Sequence, residues 1–204
     1  MSKIKHPIII VDGGDGTGKT TLAKTIGGHY LHASYLDTAK GNMIEYHLNL
    51  LKAAVILSDF EPVVIDRWRM SEVVYGTVFR GAVEGPTWTE PLYRLADMIG
   101  AIFVNCQPYN ERLYLDTFNE LKTQRVEMYD KMNEVYKIYA RAIKDLKSVR
   151  SPLIYDRFKS DPHDASRVIL KHALKMMASS HVVDDPVRRI DVIFNSVMLS
   201  KTDV

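Results

Sequence analysis

The sequence lacks several features that would point to particular classes of protein. Its 204 residues contain a single cysteine, Cys106, which excludes an internal disulfide framework and favours a reducing, cytoplasmic location. No apolar run is long enough for a membrane span, and the run within residues 1–14 is too short for a signal peptide. The formal net charge of +2 is too small to indicate a nucleic-acid or membrane surface. We therefore expect a globular intracellular enzyme or switch that binds neither membranes nor nucleic acid.

What the sequence does contain is an alternation of short apolar runs and helical patterns. The apolar runs are rich in β-branched and aromatic residues and lack polar alternation, as expected of strands buried on both faces of a parallel sheet. They are residues 7–12, 62–66, 100–106 and 152–156, with 29–36 as a fifth candidate. The helical patterns cover residues 18–27, 43–58, 71–83, 87–98, 110–147 and 162–178. Residues 181–204 fit either a helix or an edge strand. This order predicts one α/β domain over residues 1–204, with helices packed on a parallel, five-stranded sheet.

A glycine-rich segment lies between the first predicted strand and the first predicted helix. Its sequence, GGDGTGKT over residues 13–20, fits the phosphate-loop pattern G-x-x-x-x-G-K-[S/T]. Glycines let the backbone turn so that its N–H groups surround an anion at the positive end of the helix. Lys19 can reach the β- and γ-phosphates of a nucleotide, and the Thr20 hydroxyl can ligate Mg²⁺. The residues predicted to bind ATP with its Mg²⁺ are Gly13, Asp15, Gly16, Thr17, Gly18, Lys19, Thr20 and Thr21.

Three of the predicted strands end in aspartate. Asp12 directly precedes the phosphate loop and is expected to bond the backbone of that loop. Asp66 ends an apolar run of the Walker B type, so its carboxylate could hold Mg²⁺ directly or through water. Asp156 and Arg157 repeat the pair formed by Asp66 and Arg67. We favour Asp66 for chemistry because an arginine-rich turn and a helix follow it; the alternative is a salt bridge between Asp66 and Arg67.

Two stretches of the sequence together resemble the thymidylate kinases. VDGGDGTGKTTL (11–22) is similar to the phosphate loop of that family, and DRWRMSEVVYG (66–76) is similar to its D-R-[YFH]-x-x-S-x-x-A-Y-Q stretch. NERL and QRVE, at the two ends of residues 110–127, resemble the lid of the family, and LIYD (153–156) resembles its last strand. The resemblance covers most of residues 7–178. It implies a three-layer αβα P-loop kinase fold with a helical lid.

The resemblance also implies an activity and roles for individual residues. Thymidylate kinases transfer the terminal phosphoryl group of ATP to a nucleoside monophosphate with the help of Mg²⁺. Arg67 would hold the acceptor phosphate, and Asp66 would lie near the metal and the transferred group. An arginine suits this position because its planar fork matches phosphate oxygens and its charge separates two anions. As lid arginines, Arg112 and Arg125 would close on the ATP phosphates. The expected catalytic residues are Lys19, Asp66, Arg67, Arg112 and Arg125.

The sequence departs from the family pattern on the acceptor side. The R-E-P-G-G-T stretch of the family is absent, and residues 32–42 stand in its place with Asp37 as their only acid. Gly76 replaces the glutamine that ends the A-Y-Q motif. These departures leave the identity of the acceptor base open. The residues expected to contact the acceptor are Asp37, Arg67, Trp68, Ser71, Tyr75 and Arg80.

The sequence leaves two other functions open. A deoxynucleoside kinase, or a kinase acting on a modified base or a DNA end, would need a carboxylate general base, for which Asp37 and Asp66 are candidates. A regulatory GTPase or a binding ATPase is disfavoured because the guanine motif N-K-x-D and the motif L-S-G-G-Q are both missing. Small nucleotides are the expected partners. A homodimer is common among thymidylate kinases, and the apolar faces of 43–58 and 71–83 are candidates for its interface.

Overall fold

The computed structural model describes residues 4–33, 43–81, 89–120, 126–145, 152–179 and 185–199. Two of the predicted site residues, Asp37 and Arg125, lie outside these ranges. No helix among the described residues is both long enough and apolar enough to cross a membrane.

The described strands form one sheet of five, in the order β2-β3-β1-β4-β5. Every pairing between neighbouring strands is parallel. The strands are β1 (Ile8–Gly13), β2 (His29–His32), β3 (Val63–Asp66), β4 (Ile102–Cys106) and β5 (Leu153–Tyr155). The predicted five-stranded parallel sheet is thus confirmed, and the fifth candidate is the edge strand beside β3.

Helices connect these strands and follow the predicted order. They are α1 (Lys19–Ile26), α2 (Met43–Leu57), α3 (Arg69–Tyr75), α4 (Thr89–Met98), α5 (Glu111–Glu120), α6 (Val126–Asp145), α7 (Pro162–Ser179) and α8 (Pro186–Leu199). A π-helical segment, Gly76–Arg80, continues α3. The region predicted as one long helix over 110–147 contains α5 and α6. The ambiguous segment 181–204 contains the helix α8 rather than an edge strand.

The central strand β1 divides the hydrophobic core into two layers. Ile8 and Ile10 belong to a cluster with buried residues of α2, α3, α4, α6 and α8. Ile9 and Val11 face the other side of the sheet and pack with residues of α1 and α7. Each fully buried aliphatic side chain of this kind stabilises the fold by about 1.5–3 kcal/mol. The result is the predicted three-layer αβα architecture, in which an all-apolar strand is explained by burial on both faces.

The parallel pairing brings the carboxyl ends of the strands to one edge of the sheet. Val11 pairs with Asp66 in β3, and Gly13 pairs with Cys106 in β4. Open α/β sheets bind ligands at this edge, outside the carboxyl ends of their strands. The phosphate loop leaves β1 here, so the residues that follow β3 and β5 lie on either side of it.

Candidate functional site

The phosphate loop has the backbone conformation that its glycines allow. Gly13 has a φ of 149°, and a Cβ atom placed on it would lie 2.2 Å from the carbonyl oxygen of Cys106 in the neighbouring strand. Gly18 has a φ of 85° and begins α1, with the Leu22 amide donating to its carbonyl at 2.9 Å. A side chain at either position would strain the turn or push the strands apart. The loop therefore depends on Gly13 for its close approach to β4 and on Gly18 for the left-handed turn that begins α1.

Lys19 lies within the loop and is bonded to the loop itself. Its Nζ donates to the carbonyl oxygen of Gly14 at 2.6 Å, and the Thr17 hydroxyl donates to the same oxygen at 2.8 Å. The residue is 4% exposed. Burial and the nearby Arg67 guanidinium lower the pKa of the Lys19 ammonium. Lys19 and Arg67 thus hold two positive charges close together at the phosphate loop. Such a place is favourable for an anion such as a phosphate.

Asp66 ends β3 with a fully buried carboxylate, 0% exposed. Its Oδ2 accepts a hydrogen bond from the Thr20 hydroxyl at 2.7 Å and another from the Tyr30 hydroxyl at 2.6 Å. Its Oδ1 is buried and has no hydrogen-bond partner among the described residues. Because the Thr20 hydroxyl donates its hydrogen bond to Asp66, its lone pairs are left for a cation. The donor set of one hydroxyl and one carboxylate with a spare oxygen fits a Mg²⁺ ion, which prefers oxygen ligands.

Arg67 lies beside the phosphate loop and has an unusual backbone conformation. Its φ is 69°, in the left-handed region that few residues other than glycine adopt. Its amide donates to the Val11 carbonyl at 2.9 Å, which fixes the turn to β1. Its guanidinium forms an ion pair with Asp15 of the loop and lies 5.6 Å from the centre of the Tyr75 ring. Strained backbone of this kind is concentrated at functional sites.

Asp15 and Arg67 change each other's pKa values. Burial alone would raise the pKa of the Asp15 carboxyl, but the charges of Arg67 and Lys19 outweigh it and lower that pKa. The pKa of Arg67 is raised, because Asp15 outweighs the effect of burial. Tyr75 completes the unit, since its hydroxyl accepts a hydrogen bond from the Asp15 amide at 2.8 Å. A cationic side chain is thus held beside the loop, where a second phosphate could meet it.

Asp12 anchors α3 to the sheet. Its Oδ1 accepts hydrogen bonds from the Gly13 amide at 2.9 Å, from the Ser71 hydroxyl at 2.6 Å and from the Tyr139 hydroxyl at 3.0 Å. Its Oδ2 accepts from the Ser71 amide at 3.3 Å and from the Trp68 amide at 3.2 Å. Burial raises the pKa of this carboxyl, and the hydrogen bonds oppose that effect. Asp12 therefore bonds the loop backbone as predicted, and it also fixes the start of the helix that carries Tyr75.

Ser71 and Trp68, which are also predicted to contact the acceptor substrate, have their contacts within α3, the strands and the core. Ser71 is bonded to Asp12 and lies 2.8 Å from the Tyr139 hydroxyl. The Trp68 ring is in the core, 5.0 Å from the ring of Tyr93. Their predicted contact with an acceptor remains a prediction, and in the described conformation both side chains hold α3 in place.

Two predicted arginines lie at the surface. Arg80 donates to Glu72 Oε2 at 2.6 Å, and its guanidinium lies 3.0 Å from the place where a Cβ on Gly76 would be. Gly76, which replaces the family's glutamine, thus leaves room for this ion pair. Arg112 is exposed in the first turn of α5, where its amide donates to Asn110 Oδ1 at 3.0 Å. Thr21 is likewise exposed, one residue beyond the loop.

The structure adds contacts that sequence reasoning did not find. Tyr30 reaches Asp66 from β2, and Arg157 reaches the phosphate loop from the end of β5, where its Nη1 donates to the Gly16 carbonyl at 2.7 Å. The only signals in the sequence were the repetition of Asp-Arg and the placement of Tyr30 and His32 two residues apart on a strand. Both contacts depend on which strands are neighbours in the sheet, and neither signal indicates the strand order.

Comparison with known proteins identifies a shared fold. The YorR protein from Bacillus subtilis, solved in complex with phosphorylated GDP, matches with a TM-score of 0.65 and 19% sequence identity over 85% of this chain and 99% of that one. APE1195 matches with a TM-score of 0.46 and 12% identity over 85% of this chain and 98% of that one. No protein-family model and no curated protein matches the sequence. The match to YorR, together with the parallel sheet and the phosphate loop, shows a P-loop kinase-like fold.

Proposed function

We propose that the protein is a nucleoside monophosphate kinase, which transfers the γ-phosphoryl group of ATP to a deoxynucleoside monophosphate such as dTMP. The observation that carries this proposal is the position of Arg67 beside the phosphate loop, paired with Asp15 and stacked near Tyr75. A second cation next to the donor site suits an acceptor that is itself a phosphate. The shared fold with YorR, whose structure holds phosphorylated GDP, supports a nucleotide as the ligand.

The surroundings of Asp66 favour a nucleotide acceptor over a nucleoside. A nucleoside kinase needs a carboxylate that can take the proton of a 5′-hydroxyl group. Asp66 is buried and its Oδ2 already accepts two hydrogen bonds, from the Thr20 and Tyr30 hydroxyls. We therefore assign this carboxylate to a metal ion and its ligands rather than to a substrate hydroxyl. Asp37, the other candidate base, lies outside the described residues.

The chain's own groups would act by position and charge. The loop amides and Lys19 bind the phosphates of the donor, and Thr20 with Asp66 would hold Mg²⁺. The metal ion would neutralise charge on the β- and γ-phosphates of the bound nucleotide. Arg67 would leave Asp15 to bind the acceptor phosphate and bring it in line with the donor. Arg112 and Arg125 would add charge from the lid, and closure of that region would keep water from the transferred group. No covalent intermediate is needed, since catalysis of this kind rests on alignment and charge neutralisation.

Release of ADP, followed with a coupled assay, tests the proposal. The panel contains the four common deoxynucleoside monophosphates and the matching nucleosides, each with ATP and Mg²⁺. We expect at least one monophosphate, and no nucleoside, to raise ADP release well above the rate without acceptor. Stimulation by nucleosides alone would instead support a deoxynucleoside kinase, and stimulation by neither group would remove the kinase proposal. The panel also identifies the base, which the departures from the family pattern leave open.

A further inference from the structure

Tyr30 has a contact that neither the phosphate-loop pattern nor the Asp-Arg stretch accounts for. Its hydroxyl donates to Asp66 Oδ2 at 2.6 Å, a distance typical of a charge-assisted hydrogen bond. The Thr20 hydroxyl donates to the same oxygen at 2.7 Å. His32 is farther away, with its Nδ1 3.6 Å from that oxygen and 3.5 Å from the Tyr30 hydroxyl. Among the described residues, Tyr30 and Thr20 are therefore the two side chains that donate hydrogen bonds to this carboxylate.

The position of Tyr30 follows from the pairing of β2 with β3. Tyr30 is opposite Val64 and His32 is opposite Asp66 in the parallel register. Since alternate residues share a face, the Tyr30 ring lies on the same face as Asp66, which is the face covered by α1. Lys24 of α1 lies 6.0 Å from the centre of that ring, and the imidazole of His32 is stacked 6.3 Å away. The ring is thus flanked by a residue of its own strand and a residue of α1, while Tyr30 remains 38% exposed.

The hydrogen bonding leaves the Asp66 carboxylate with one fixed oxygen and one spare oxygen. Both hydroxyl donors use Oδ2, while Oδ1 is buried and has no hydrogen-bond partner in the described parts of the chain. Rotation of the carboxylate would break both hydrogen bonds.

We propose that Tyr30 is a positioning residue of the metal site, which locks the Asp66 carboxylate so that the Thr20 hydroxyl keeps donating its hydrogen bond to Asp66 and its lone pairs stay directed toward Mg²⁺. The inference rests on the proposed function only in requiring a nucleotide bound with a divalent cation, and it requires no particular acceptor. Partners of this kind, one step removed from the metal, typically change metal affinity by about 10–100-fold when they are removed.

The test is the affinity for Mn²⁺, measured by electron paramagnetic resonance with ATP bound and no acceptor present. Tyr30→Phe keeps the ring between Lys24 and His32 and removes only the hydroxyl. We expect its dissociation constant for Mn²⁺ to rise about tenfold or more. Tyr30→Leu, which also loses the ring, is expected to weaken binding no further if the hydroxyl is the group that matters. The matched control is Tyr109→Phe. Tyr109 is 82% exposed and follows β4, which lies on the other side of β1 from the strand that carries Tyr30.

Several outcomes decide the matter. Affinity of Tyr30→Phe within twofold of the wild type would overturn the inference, and so would an equal loss in Tyr109→Phe. A folded wild type that binds no Mn²⁺ with ATP would overturn both this inference and the proposed function. If Tyr30→Phe weakens Mn²⁺ binding but no monophosphate stimulates ADP release, the inference stands and the choice of acceptor is wrong. Melting temperatures of the three variants check that each remains folded.

Discussion

The same dipeptide, Asp-Arg, follows two strands of one sheet and has different surroundings at each. Asp66 ends β3 and Arg67 follows it, whereas Asp156 and Arg157 both follow β5, on the opposite side of the phosphate loop. Asp66 is bonded to side-chain hydroxyls through one oxygen. Asp156 uses both oxygens for backbone amides, one of Tyr109 at 2.9 Å and one of Phe158 at 3.0 Å.

The two arginines differ in the same way. Arg67 is half-buried, has a left-handed backbone and is paired with an acid of the loop. Arg157 is exposed, has no positive φ, and donates to a carbonyl of the loop, that of Gly16. One pair therefore brings a charge that a phosphate could recruit, and the other holds a turn against the loop. A repeated dipeptide does not imply a repeated role, and the hydrogen-bond partners distinguish the two.

Truncation of the two arginines gives the largest expected contrast. Arg67→Ala removes the cation that we assign to the acceptor phosphate, so kcat/KM for the acceptor is expected to fall by about 10³-fold. Arg157→Ala loses one hydrogen bond to a loop carbonyl, worth about 1.5–3 kcal/mol at most for a charged donor, and much less where it is exposed. We expect a loss of about tenfold or less. Steady-state kinetics of both variants measure the contrast.

A control and a contrary result complete that experiment. Arg167→Ala is the matched control, since Arg167 is an arginine of α7 whose side chain is 81% exposed. Its activity is expected to equal that of the wild type. Equal losses at Arg67 and Arg157 would show that the two dipeptides are not distinguished by their contacts in the way described here.

Replacing each aspartate by asparagine separates chemistry from scaffolding. In Asp66→Asn a single amide oxygen can still accept from both Thr20 and Tyr30, so the fold is kept while the charge that attracts a cation is lost. We expect activity to fall by about 10²-fold or more. In Asp156→Asn the amide nitrogen must face a backbone N–H, so the free energy of unfolding is expected to fall by about 1–3 kcal/mol.

Urea unfolding and the coupled assay, applied to both variants, provide the measurements. We expect Asp66→Asn to lose activity and keep its stability, and Asp156→Asn to lose stability and keep its activity. A destabilised Asp66→Asn with normal metal dependence would contradict the metal role of Asp66.

Much of the fold could be predicted from the sequence because it depends on local signals. The β-branched runs indicate buried parallel strands, and the glycines and lysine of residues 13–20 require a strand before them and a helix after them. The helix predicted over 71–83 begins at Arg69 and changes to π-helix at Gly76, which no periodicity indicated. Such a change of hydrogen bonding is set by tertiary packing rather than by local propensity.

The candidate site was predicted in part, and the missing part is long-range. Asp66, Arg67 and Tyr75 contact the phosphate loop because β3 lies beside β1, and their predicted roles toward the metal and the acceptor stay predictions. The Tyr30 contact could not be predicted, because it needs the register of an edge strand that the sequence indicates only faintly. Trp68 follows the left-handed turn at Arg67 and its ring enters the core, so the acceptor contact predicted for it stays a prediction.

Titration of Asp15 tests the coupling around Arg67. Arg67 and Lys19 outweigh burial and lower the pKa of Asp15. Without the guanidinium, burial remains, so we expect the pKa of Asp15 to rise in Arg67→Ala and to stay unchanged in Arg157→Ala. Carboxyl chemical shifts followed by NMR across acidic pH measure it. An unchanged pKa in Arg67→Ala would mean that the ion pair does not form in solution.

The same shift predicts a pH dependence of stability. A carboxyl whose folded pKa is lowered binds fewer protons in the folded state, so it stabilises the fold above its unfolded pKa of about 3.9. That contribution is lost as the pH falls through the lower, folded value. The wild type is thus expected to lose an advantage over Arg67→Ala in this acidic range, and to show no such change relative to Arg157→Ala.

The smallest expected effect concerns the backbone at Arg67. A left-handed residue other than glycine costs about 1–2 kcal/mol, so Arg67→Gly is expected to be more stable than Arg67→Ala by about 1 kcal/mol. At position 157 the φ is not positive, so Arg157→Gly is expected to be less stable than Arg157→Ala by about 0.4–1 kcal/mol. Chemical denaturation of the four variants gives both differences. Opposite signs of the glycine–alanine difference at the two positions would show that the backbone at Arg67 is strained. Equal signs would show that it is not.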